Sequence, residues 1–289
     1  MPPRDLLLAL SVPVLWGVGF ALAKPAVAQF PPLMMMAIAY LVTAIMLVPG
    51  AGRFQTPWWR LVLIAALGAT IQGGLIFTGL AALPASTATL VLQLQVPFAV
   101  LCAWALGRDR LDARRLMGIA VAFAGVALVT GSPAPAARWP LVLVALGSLS
   151  WAAGQAVAQA VARDEGRTLT AAIAVYALPQ LVLASAVLER GQLTALRTAD
   201  ALDWTAMLGL ALAGFVVAYS IWYALLRRYP MDQIAPFMLL MPVVGVAFSA
   251  LVLGERPALI ELGGGVVIVA GLALVVVRPG NRGALSNPI

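Results

Sequence analysis

The chain has 289 residues, 63% of them hydrophobic and only 10% charged, a balance that excludes an ordinary water-soluble domain and makes lipid the principal solvent. It contains no histidine and a single cysteine, Cys102, which excludes an intrachain disulfide, a thiolate metal cluster and imidazole-based catalysis. The net charge of +7 comes from cations scattered between apolar runs, the pattern of topology signals rather than of a nucleic-acid surface.

A helix needs about 20 predominantly apolar residues to cross the hydrocarbon core, and ten such windows follow one another along the chain. They are rich in Ala and Leu and lack polar–apolar alternation, which predicts helices rather than a closed barrel. The first window, 6–24, is too long for a cleaved leader and carries Trp16, Gly17 and Gly19. Pro13, Trp16, Phe20 and Lys24 recur on one of its faces. Lys24 closes the window, and its amine is read as snorkelling to the outer interface; the other reading is attraction of a substrate carboxylate.

Windows 32–49 and 58–80 follow, the latter with Phe77. The fourth, 86–106, carries Thr89, Gln93 and Pro97. The basic stretch from Arg108 to Arg115 is read as a cytoplasmic anchor rather than an anionic-ligand site. In the fifth window, 113–130, Gly118, Ala122 and Gly125 allow a neighbouring helix to come close. The sixth, 139–161, sets Ser148, Trp151 and Gln155 on one face, and the seventh, 168–188, carries Tyr176 and Gln180. Tyr219, Trp222 and Tyr223 lie in the eighth, 203–226, and Pro242 in the ninth, 232–253. The tenth, 258–277, opens with Glu261 at the positive helix end and holds Gly264 and Gly271, before a cytoplasmic tail, 278–289. A cytoplasmic N-terminus puts thirteen of the Lys and Arg residues inside and five outside, which fixes the orientation.

Self-comparison exposes a repeat. Pro84, Asp109, Gly118 and Gly125 have counterparts 146 residues later in Pro230, Glu255, Gly264 and Gly271, and Pro97 answers Pro242 at 145. Trp16-Gly17 is answered by Trp151-Ala152. Each half, 6–130 and 139–277, holds five windows; an odd number means that the second enters the membrane upside down, an arrangement that supports alternating access.

Three stretches resemble the EamA family of the drug/metabolite transporter superfamily: Trp16-Gly17 with Phe20 and Lys24, Pro97 through Asp109 to Gly125, and Pro242 through Gly254-Glu255 to Gly271. The resemblance runs from about Leu6 to Val277 and implies two five-helix repeats in a bacterial inner membrane. Within the family the chain is similar to bacterial exporters of aromatic and other neutral amino acids, which implies such amino acids as its small-molecule partners.

A small polar solute needs a midplane cavity walled by neutral hydrogen-bonding and aromatic groups. The candidates are Trp16, Phe20, Phe77, Thr89, Gln93, Trp151, Gln155, Tyr176, Tyr219, Trp222 and Tyr223; for any one aromatic, packing or an interfacial belt is the alternative. Mid-span glutamines are costly in lipid, so Gln93 and Gln155 should face inward, either to bind a solute or to tie helices together. Pro97 and Pro242 should kink their helices, as hinges or as static bends.

None of the eleven Asp and Glu residues falls in the middle third of a window, so no proton relay is expected and export is read as facilitated; a proton-coupled exporter of cationic drugs is the alternative. No ATP-binding loop, nucleophile–base pair or metal-ligand set is present, so the chain is read as a non-enzyme without cofactor, working as a monomer.

Overall fold

Apolar runs of this length must satisfy their backbone hydrogen bonds internally, and they do so as helices. A computed structural model describes residues 1–107, 111–131, 135–164, 166–229 and 234–276, with no strand among them. Arg108, Asp109, Arg110, Pro230 and the tail 278–289 lie outside the described residues.

The helices are α1 (Pro3–Gln29), α2 (Pro32–Leu47), α3 (Trp58–Ala82), α4 (Ala85–Ala105), α5 (Ala113–Thr130), α6 (Pro135–Val161), α7 (Gly166–Leu188), α8 (Ala201–Arg228), α9 (Phe237–Val252) and α10 (Leu259–Val276). A short helix, Gln192–Thr198, joins α7 to α8. Among the described residues nine of these are long and apolar enough to cross a membrane, and α9 is a shorter apolar helix. Several begin at prolines, whose missing N–H costs nothing in a first turn: Pro3 and Pro32 lie inside the start, Pro57 and Pro84 just before it. Asp112 caps α5, and Asp200 with Asp203 forms a capping box on α8. Outward faces are apolar, as lipid requires: Leu251 is 85% and Leu259 87% exposed.

Four helices depart from regularity, in equivalent pairs. In α4 the peptides of Gln93 and Leu94 turn tightly, with Gln93 N–H bonding Leu90 O at 3.2 Å and Val96 N–H bonding Gln93 O at 3.1 Å. Pro97 is the cause, since its ring excludes an ordinary bond to the carbonyl four residues back. Four residues before Pro242, α9 is likewise tightened, its entry being a 3-10 turn, Ala235–Leu239. In α3 and α8 the opposite happens, and the chain widens into π-helical turns at Ala66–Ile71 and Leu210–Ala218.

Packing follows the repeat. Counterpart helices pair directly, α2 with α7, α4 with α9 and α5 with α10, and the remaining contacts recur as partners: α1 with α9 as α4 with α6, and α1 with α8 as α3 with α6. Each direct pair runs antiparallel. Glu189 at the end of α7 meets Leu33 at the start of α2, while Thr168 meets Ala51 at the other end. Between α4 and α9, Gln95 lies against Met241, and a Cβ on Gly245 would come 2.6 Å from Thr89 Cγ2. The α5–α10 contact is reciprocal: a Cβ on Gly118 would lie 2.7 Å from Gly271 O, one on Gly271 2.8 Å from Gly118 O, and Gly125 and Gly264 face each other in the same way at 2.9 Å. Only glycine admits this approach.

Candidate functional site

Counterpart residues also meet at the centre of the bundle. Trp16 of α1 and Trp151 of α6 touch edge to face with ring centroids 6.3 Å apart, and Gln95 and Met241 lie beside them. These four residues line one cavity of about 470 Å³, counted out to its open side. Its other walls come from the helices with π turns, Gln72 and Phe77 on α3 and Phe215 and Tyr219 on α8, and from Phe20 on α1. Among the described residues, no charged one lines it.

The aromatic wall is held from behind. Trp16 Nε1 donates to Gly214 O at 3.1 Å, and its ring lies 5.0 Å from Tyr219 and 5.5 Å from Trp222. Trp222 Nε1 donates to Gln155 Oε1 at 3.1 Å, and Gln155 Nε2 donates to Tyr223 Oη at 3.2 Å. Phe20 stacks on Phe77 at 5.8 Å. Rings fixed by several partners present rigid faces, which bind flat apolar groups at small entropic cost.

Two further cavities lie in a row beside this chamber. The first, about 780 Å³, shares Gln95 and Trp151 with it and extends past Gln155 and Gln159 to Arg115. The second, about 770 Å³, shares Gln159 and reaches Asp164, Arg227 and Tyr229. The row leads to the end of the bundle where α1, α3, α5 and α7 begin. At that end the Tyr229 hydroxyl donates to the Asp5 carboxylate, which raises the Tyr229 pKa above its ordinary value. Asp164 accepts from the N–H groups of Gln55 and Thr56, both at 2.8 Å.

The opposite end is stitched shut. Lys24 Nζ donates to Leu80 O at 2.9 Å, Ala81 O at 3.2 Å and Leu83 O at 2.6 Å, and so caps the C-terminus of α3. The helix α1 continues past Lys24 to Gln29, so this residue does not close its helix, and its amine is held by the carbonyls at the end of a neighbour. Glu189 accepts from Leu33 N–H and Met34 N–H at 2.6 and 3.0 Å, and Glu255 from Ala85 N–H and Ser86 N–H at 2.7 and 2.9 Å. Both carboxylates thus sit on positive helix starts.

Of the residues proposed from sequence, Trp16, Phe20, Phe77, Trp151 and Tyr219 line the chamber. Gln155 lines the adjoining cavity with its amide bonded at both ends, Tyr223 faces the third cavity, and Trp222 is buried behind Trp16 and Trp151. Thr89 is fully buried at the α4–α9 contact, its hydroxyl bonded to Ala85 O. Gln93 is fully buried too and donates to Thr89 O at 3.3 Å on its own helix. Tyr176 is half-buried on α7, away from the chamber.

Two chamber residues escaped the sequence reading, Gln72 and Gln95. The rule applied to Gln93 and Gln155 covers them equally, since all four are mid-span amides. Two residues along a helix turn the side chain by about 200°, so Gln95 looks into the chamber and Gln93 away from it. The Gln72 amide makes no hydrogen bond to any described residue, and its Oε1 is buried. Such a group costs about 1–3 kcal/mol.

Comparison with known proteins agrees with this architecture. The EamA-like transporter family matches residues 4–131 and again residues 138–277. A protein from Salmonella typhimurium named "Probable amino-acid metabolite efflux pump" is 33% identical over 291 residues, 96% of each chain, and one of the same name from Escherichia coli is 32% identical over 292 residues, again 96% of each. A solved crystal structure superposes with a TM-score of 0.69 over 95% of this chain and 96% of that one, at 18% identity, which speaks for the fold alone. Matched twice by one family along nearly its whole length, with full-length relatives beside it, this chain belongs to the EamA-like transporter family.

Proposed function

We propose that this membrane transporter exports amino acids with aromatic or other neutral side chains by alternating access. The carrying observation is the uncharged, aromatic-walled chamber at the junction of two antiparallel halves. The names of its relatives and the resemblance to the bacterial amino-acid exporter YddG support the same class of cargo. The protein resides in the bacterial inner membrane, with ten spans in two inverted five-helix repeats, both termini in the cytoplasm, and one chain as the working unit.

In this reading Trp16, Phe20, Phe77, Trp151 and Tyr219 contact the cargo, and Gln155, Trp222 and Tyr223 hold the wall in shape. Thr89, Gln93 and Tyr176 act through packing. The cavities leading from the chamber to the end where α1 begins form the cytoplasmic approach, and the end sealed by Lys24, Glu189 and Glu255 is the external gate. Pro97 and Pro242 are the hinges, since each follows a tightened turn in one of two counterpart helices that pack on each other.

Transport runs down the substrate gradient without protons. All eight described carboxylates lie at helix ends or in loops, where Asp164, Glu189 and Glu255 already cap backbone N–H groups. Counterflow in proteoliposomes holding only this protein tests the reading. Labelled phenylalanine should enter against unlabelled phenylalanine, and flux should persist when the pH gradient is collapsed. Flux limited to cationic drugs, or abolished with the gradient, would favour a proton-coupled drug exporter instead.

A further inference from the structure

One polar group in the chamber has no partner of its own. Gln72 lies in the middle third of α3, lines the chamber, and is only 7% exposed. Its amide makes no hydrogen bond to any described residue. The other mid-span amides differ: Gln155 is bonded at both ends, and Gln93 donates to its own helix with its unpartnered Oε1 buried away from the chamber. Gln95 hydrogen-bonds, among the described residues, to the Met241 sulfur alone, at 3.9 Å, and shares the chamber with Gln72.

The backbone delivers Gln72 to this place. The π turn Ala66–Ile71 ends at the residue before it. A π turn inserts one residue and so rotates everything beyond it by about 100° relative to a regular helix. The counterpart helix repeats the device, because the π turn Leu210–Ala218 ends directly before Tyr219, whose ring faces the same chamber. Two such turns at equivalent places, each turning the next side chain onto one cavity, make a built site rather than a local irregularity.

We propose that Gln72 recognises the charged head of the cargo, its carbonyl accepting from an α-ammonium and its NH2 donating to the carboxylate, with Gln95 as second amide. This rests on the amino-acid reading and narrows it to zwitterionic α-amino acids. A chamber without a charged side chain has nothing to balance a lone cation or anion. An amide offers both an acceptor and donors, which matches a head that carries both signs at zero net charge.

The test compares the unaltered protein with Gln72→Leu and Gln93→Leu, measuring phenylalanine counterflow in proteoliposomes and the apparent melting temperature of each. Gln72→Leu removes an unpaired buried amide, so its melting temperature should stay level or rise. Its KM for phenylalanine should rise at least about tenfold, whereas Gln93→Leu should leave KM unchanged. Phenethylamine and 3-phenylpropionate, each bearing half of the head, should compete at least about tenfold more weakly than phenylalanine. An unchanged KM in Gln72→Leu, or a melting temperature that falls in step with flux, overturns the assignment while leaving amino-acid export intact. Absence of counterflow of any amino acid by the unaltered protein overturns the export reading and this one with it.

Discussion

The α5–α10 pair and the α3–α8 pair each consist of counterpart helices, yet they are built from opposite materials. The helices α5 and α10 are uninterrupted and meet backbone to backbone through Gly118, Gly125, Gly264 and Gly271, with no polar side chain needed at the contact. Those of the other pair are widened by π turns, and α3 holds unpaired polar groups, Thr70 and Gln72, at membrane depth. Close, strain-free contact makes a unit that moves as one body, whereas a helix that gives up regular hydrogen bonding presents side chains a regular helix would turn elsewhere. The first pair closes on itself through its glycines, and the second lends side chains to the wall of the chamber.

The largest expected effect comes from attacking the first pair. Even a Cβ on Gly125 would lie 2.6 Å from Ile268 N, so Gly125→Leu must force the helices apart. The cost is about 3 kcal/mol or more, seen as a fall of about 10 °C in the apparent melting temperature in detergent. In the chamber the signature should reverse. Trp16→Leu loses the ring that faces Tyr219, Trp151 and Trp222, and phenylalanine counterflow should fall about tenfold with a smaller thermal shift. A Trp16 variant that loses as much stability as Gly125→Leu would erase the distinction. The smallest effect is expected at the tightened turns of α4 and α9. Pro97→Ala and Pro242→Ala should each restore backbone bonding and lower turnover severalfold with KM unchanged; unaltered rates in both would remove their hinge role.

Much of this was readable from sequence because lipid imposes hard rules. Windows of apolar length located the helices to within a few residues, and the glycines at 118, 125, 264 and 271 marked a close contact before any partner was known. Prolines also declare themselves, since a missing N–H disturbs a helix wherever it stands, and the tight turns at Gln93 and at Ala235–Leu239 lie where Pro97 and Pro242 require. The π turns were invisible. An inserted residue leaves no compositional mark in an apolar run, and without it the facing of Gln72 cannot be placed. The bonds of Lys24 were hidden for a related reason, because a boundary drawn at that charge ends α1 five residues short of Gln29 and conceals the carbonyls that receive the amine. Of the wall, the aromatic faces were found and the amides that complete it were missed, because helical phase rather than residue type separates Gln93 from Gln95.

The Lys24 contact also bears on timing. On the proposed orientation, opening the external gate draws the ammonium away from the carbonyls of Leu80, Ala81 and Leu83. Three charge-assisted bonds must then be given up together. The contact is thus a latch, and the ends of α1 and α3 part there only when the whole set of carbonyls is released at once.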